Sequence, residues 1–153
     1  MASALGSTTM PLEYIPLDVV RRVRADAKNR CGYCLSPQHL VLARLELEHL
    51  VPRSRGGTSE EANLWLSCPL CNRHKADRTS AADPETGQNV VLFNPRQQRW
   101  SEHFRWSEDG LRIVGLTPTG RATVAALHLA DDPDALTVRS YWIRAGWHPP
   151  TDL

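Results

Sequence analysis

An α+β fold is what this sequence predicts, and three observations predict it. Two C-x-x-C pairs, Cys31 with Cys34 and Cys68 with Cys71, stand thirty-three residues apart. Helical periodicity occupies both ends of the chain. The apolar runs between are short, loosely alternating and closed by glycine-bearing turns. At 153 residues the chain is one domain's worth, long enough to build a core unaided. With 41% hydrophobic and 23% charged residues, disorder of the whole chain is excluded. No apolar run reaches the length of a membrane-spanning helix, and residues 1–10 lack the apolar segment of a secretory leader. The expected location is the cytoplasm.

The elements follow in order. Residues 1–15 read as a flexible tail. Residues 16–29 read as a helix with Pro16 near its start, where a missing N–H is harmless, and with Val19, Val20 and Val23 on one side. A knuckle at the first cysteine pair follows. Residues 41–51 alternate loosely, Leu45 and Leu47 against Glu46 and Glu48, and predict a strand. The stretch 52–59 is a loop marked by Gly56-Gly57, and 59–64 is a turn or helical start. The second cysteine pair runs into a helix over 68–76. Beyond it, 83–87 is turn chemistry. An Asp109-Gly110 turn joins candidate strands at 103–106 and 111–116. Helices are expected at 119–129, with Thr119 as cap, and at 134–145, ending at Gly146. The division expected is a tail at 1–15, a core with its N-terminal helix at 16–80, and an extension at 81–153 packed on that core.

Two sulfurs three positions apart on a tight turn can face one cation, and two such turns together make a closed tetrahedral thiolate site, the environment preferred by structural zinc. Two disulfides fit poorly with a chain lacking a secretory leader. A redox-active C-x-x-C needs a strand–C-x-x-C–helix unit in an alternating βαβ pattern, which this sequence lacks. Zinc alone names no function.

Net charge is +1 and uninformative, but its distribution is not. Residues 51–78 carry Arg53, Arg55, Arg73, Lys75 and Arg78 against Glu60, Glu61 and Asp77. An excess of base recurs over 96–121, five against three, and reverses over 122–153.

Between the cysteine pairs runs Leu45-Glu-Leu-Glu-His-Leu-Val-Pro-Arg-Ser-Arg-Gly-Gly-Thr-Ser-Glu-Glu-Ala-Asn-Leu64, and Asn72-Arg73-His74-Lys75 follows the second pair at once. A Glu-His pair, a Gly-Gly loop, an Asn-Leu and a C-x-x-C-Asn in that order resemble the HNH endonuclease motif, in the branch whose ββα-metal, treble-clef-like unit is stapled by four cysteines around zinc. The resemblance covers residues 30–78. It implies that His49 is the general base activating the attacking water. It implies that Glu48, where related nucleases usually carry Asp, and Asn72 are ligands of a catalytic divalent ion. It implies that Asn63 pins the loop between two strands and orients the base. The third position of the motif is Asn here rather than His, which weakens any expectation of tight transition-metal binding. His74, two residues on, is a candidate accessory contact to metal or phosphate. Segments 92–105 and 115–122 resemble the extension of small stand-alone bacterial members of that family.

The residue types suit the chemistry by themselves. Phosphodiester hydrolysis needs a base, a cation for developing charge, and positioning of both. Imidazole titrates near neutrality. Carboxylate and amide oxygens are hard ligands suited to Mg2+ or Mn2+. Arg53, Arg55 and Lys75 can hold DNA phosphates. The tryptophans read as core, and His39, His103, His128 and His148 have no supporting pattern. The expectation is therefore a metal-dependent DNA endonuclease leaving 5′-phosphate and 3′-hydroxyl ends. The alternative is a non-catalytic zinc-knuckle module that binds nucleic acid. A weaker third is a structural zinc domain for protein contacts.

Overall fold

The computed structural model describes residues 14–153, so the expected tail lies outside the described residues over 1–13. The architecture is α+β: five α-helices and three two-stranded antiparallel sheets among the described residues. No helix among them is long and apolar enough to cross a membrane.

Helix α1 (Leu17–Asp26) buries Val23 completely and ends earlier than its pattern predicts, because Lys28 and Asn29 both take positive φ to turn the chain into the first knuckle. Strand β1 (Glu46–His49) takes up only four residues of the expected 41–51 strand. It pairs with β2 (Leu64–Ser67) in the register Glu48 opposite Trp65 and His49 opposite Leu64. Between them lie two 3-10 turns, Arg53–Arg55 and Glu61–Asn63. The Gly56-Gly57 pair is required there. Gly56 has φ of 85°, and a Cβ on Gly57 would sit 1.7 Å from the Val51 carbonyl oxygen. Helix α2 (Pro69–Lys75) starts at Cys68, whose sulfur accepts the Cys71 N–H, with Pro69 at its first position. Thus β1, β2 and α2 follow in ββα order.

The C-terminal half differs from its pattern in detail. A hairpin of β3 (Ser80–Ala82) and β4 (Asn89–Val91) brackets the predicted turn at 83–87. Its strands are too short to leave a periodic signal. A one-turn helix α3 (Trp100–His103) precedes the second hairpin, β5 (Phe104–Trp106) with β6 (Ile113–Gly115). Helix α4 (Pro118–Leu127) is capped by Thr117 and not Thr119, since Pro118 fits the first helical position and the Thr117 hydroxyl takes the Gly120 N–H at 3.0 Å. Helix α5 (Pro133–Arg144) repeats the device with Asp132 ahead of Pro133, and Gly146 follows it at φ of 78°.

One core serves both halves. Cys31, Tyr33, Leu45 and Leu66 pack in the same cluster as Phe93, Trp100, Phe104, Ile113 and Leu127. Phe93 contacts Tyr33 edge-on at 6.5 Å between ring centres and Phe104 at 5.0 Å. Trp100 and Trp142 are buried as expected of core tryptophans, whereas Trp147 is exposed.

Candidate active site and metal centre

The two knuckles meet. The four sulfurs of Cys31, Cys34, Cys68 and Cys71 lie within 4.8 Å of one another, all on buried residues. Cys34 and Cys68 are 3.7 Å apart, against an edge of about 3.8 Å for a tetrahedron with metal–sulfur bonds of about 2.3 Å. The Cys71 amide and the Ser36 hydroxyl reach sulfurs at 3.4 and 3.1 Å. Packed this closely, four thiols cannot ionise side by side. Hydrogen bonds from neighbouring thiols hold Cys34 far below its ordinary value, while Cys68 and Cys71 are pushed far above theirs. A dication at the centre removes that conflict by letting all four become thiolates. The four cysteines are positioned to hold a metal ion, and the donor set suits zinc. No other group of three or more His, Cys, Asp or Glu side chains among the described residues is placed to do so.

Strand β1 offers two faces. His49 stands at its end, with Nε2 2.9 Å from the Ser59 hydroxyl across the loop. That loop is stapled by Asn63: its Oδ1 accepts the Val51 N–H at 2.9 Å, and its Nδ2 donates to the carbonyls of Val51 at 3.0 Å and Thr58 at 2.7 Å. Both the Asn63 amide oxygen and nitrogen are thereby spent on backbone. His49 leaves the β1–β2 pair at the point where this staple begins.

The other face of β1 meets α2, where residues two apart on a strand find residues three apart on a helix. Glu46 Oε2 lies 2.6 Å from Asn72 Nδ2. Glu48 is drawn inward: Oε1 is 2.6 Å from Lys75 Nζ and accepts the Tyr33 hydroxyl at 2.8 Å, while Oε2 is buried with no hydrogen-bond partner among the described residues. Burial pushes the Glu48 carboxyl above its ordinary value, and the Lys75 ammonium and Tyr33 hydroxyl offset only part of this. Burial, then the Glu48 charge, pushes the Tyr33 phenol well up.

The expectation of a phosphate contact at Lys75 is corrected by its surroundings. Lys75 is 3% exposed, and its ammonium also donates to the carbonyls of His49 and Leu50, so it faces the protein. Arg55 is exposed and tied to Asp77, by Nε to its carbonyl oxygen at 2.6 Å. Arg53 stands on the same 3-10 turn, half-buried. His74 joins α2 to the extension: Nε2 lies 3.2 Å from Asp132 Oδ2, and its ring packs on His128. The site residues not singled out from sequence are Glu46, Tyr33 and Ser59. For Glu46 a signal existed, since it lies two positions from Glu48 and so on the same strand face. For Ser59 none did, because a loop hydroxyl meeting a histidine is a tertiary fact.

Residues 31–78 match the family model for HNH endonuclease. The chain is similar to the Septu protein PtuB of Bacillus mycoides, 28% identical over 130 residues, a match covering 68% of this chain and 44% of that protein. The chain therefore spans less than half the length of that relative. No solved structure matches the chain.

Proposed function

We propose that this protein is a metal-dependent endonuclease that hydrolyses DNA phosphodiester bonds, with a structural zinc in the four-cysteine centre. The observation that carries the reading is the Glu48-His49 dipeptide at the end of β1, between the Asn63-stapled loop and Asn72 on α2, inside the stretch that matches the HNH endonuclease model. His49 takes the proton of the attacking water. Asn63 holds the loop that carries Ser59, the partner of His49 Nε2. Arg53 and Arg55, on the turn before Gly56, bind phosphates. The fit of a second, divalent ion rests on the chemistry of two oxygens. Glu48 Oε2 is a buried acceptor without a partner among the described residues, and the Asn72 side-chain carbonyl is a hard donor. Glu48 and Asn72 would hold Mg2+ or Mn2+, which supplies positive charge against the developing phosphorane and leaving oxygen. The products carry 5′-phosphate and 3′-hydroxyl ends.

A second reading has one observation in its favour. The Glu48–Lys75 pair already neutralises the carboxylate, as suits a non-catalytic zinc-knuckle module that binds nucleic acid. One experiment separates the two. Wild-type protein and H49A are incubated with supercoiled plasmid and Mg2+ or Mn2+. The endonuclease reading expects nicked or linear product from wild type, a rate lower by ~10²–10⁴ for H49A, and an unchanged, salt-sensitive gel shift for both. Wild-type protein that shifts DNA and never cuts it would establish the binding module instead.

A further inference from the structure

Asn72 is useful to a cation only through its carbonyl oxygen, because its NH2 group is a donor. A carboxamide turns end for end at small cost, so something must hold it. The 2.6 Å contact with Glu46 does this. A carboxylate oxygen that close repels a second oxygen and attracts an N–H, so the atom facing Glu46 is Nδ2, and Oδ1 is turned away from it. Glu46 reaches Asn72 because it shares a strand face with Glu48, and that face packs on α2. It is also exposed, so it is not needed for the core.

We propose that Glu46 is a positioning residue of the divalent-ion site: its carboxylate takes the Asn72 Nδ2 hydrogen bond and so commits Oδ1 to the cation. The proposal rests on Asn72 being a ligand. Partners that orient a metal-binding side chain typically contribute ten- to hundredfold in affinity. An exposed polar contact contributes little to folding by comparison. The two effects separate cleanly at this position.

The test is a Mn2+ titration of the zinc-loaded full chain, read by the paramagnetic resonance signal of free Mn2+, for wild type, E46A, E46Q and N72A. E46A should weaken Mn2+ binding about ten- to hundredfold with zinc content and urea midpoint unchanged. E46Q should restore most of the affinity, because its side-chain carbonyl still accepts from Nδ2. Unchanged binding in E46A overturns the proposal. So does an E46Q as weak as E46A, which would mean that charge and not orientation is at work. N72A tells which layer failed. If N72A loses Mn2+ while E46A keeps it, Asn72 stands as a ligand and Glu46 drops out. If N72A binds like wild type, or wild type binds no Mn2+, the ligand assignment itself falls and the proposal with it.

Discussion

Glu48 and Lys75 form an ion pair inside the protein, 2.6 Å from oxygen to nitrogen, with both side chains 3% exposed. Removing one partner of such a pair leaves the other charged and unmatched. K75M should therefore cost about 3–5 kcal/mol, measured by urea unfolding. The apolar double variant E48L/K75M should recover most of that loss, because it removes both charges from the interior. A loss near zero for K75M would mean that the pair contributes nothing to folding.

Asn63 spends three hydrogen bonds on Val51 and Thr58. At ~0.5–1.5 kcal/mol net for each bond, N63A should lose about 1.5–4.5 kcal/mol. The Val51 amide should exchange with solvent faster, readable by hydrogen exchange. Cleavage should fall as well, because the loop carries Ser59. N63A with wild-type exchange at Val51 would remove the staple from the account.

The four-cysteine centre should yield one zinc per chain by elemental analysis. Binding energy at such a centre is folding energy. Chelator or C68S should therefore unfold the chain, seen as lost near-ultraviolet circular dichroism, whereas E48A should keep its zinc.

Asp83 supplies a pH signature remote from the metals. Its buried carboxylate accepts from Arg121 Nε at 3.0 Å and Nη2 at 2.9 Å, with the Glu85 amide and Thr86 hydroxyl added. The Arg121 guanidinium, first of these, holds it well below the usual carboxylate range. The folded value is thus below the unfolded one, about 3.9. The stabilisation is complete above that value and is lost as pH falls further, through the folded value. D83N should lower stability at neutral pH and flatten the decline below about pH 4, measured by urea midpoints across that range. Parallel curves for the two proteins would mean that Asp83 is not the group responsible.

Much of the fold was legible because its signals are local. The cysteine spacing announces the four-sulfur cluster, Asp109-Gly110 announces the second hairpin, and Gly146 announces the end of α5, whereas Pro118 and Pro133 at first helical positions went unread and the caps Thr117 and Asp132 with them. What escaped was set by partners far along the chain. The three-residue strands β3 and β4 are too short for a period. Trp100 to His103 turn helical for a single turn in a context that propensity does not mark. The site divides the same way. Glu48, His49, Asn63 and Asn72 stand in order in the sequence as candidates, but whether Lys75 faces a phosphate or a carboxylate depends on how deeply α2 sits against β1. The His74 partner was hidden for the same reason: Asp132 lies 58 positions away.

The bonds between the two halves set how this chain can be inherited. Trp100 Nε1 donates to the Tyr33 carbonyl at 2.8 Å, and Arg96 Nε donates to the Leu64 carbonyl at 3.0 Å while stacking on Trp65. The stretch around the cysteines thus lacks a finished surface of its own on that side. Moved alone into a foreign host, it would present Tyr33 and Trp65 to water. Recombination that exchanges one half between related genes can succeed only where the donor already carries the matching tryptophan and arginine.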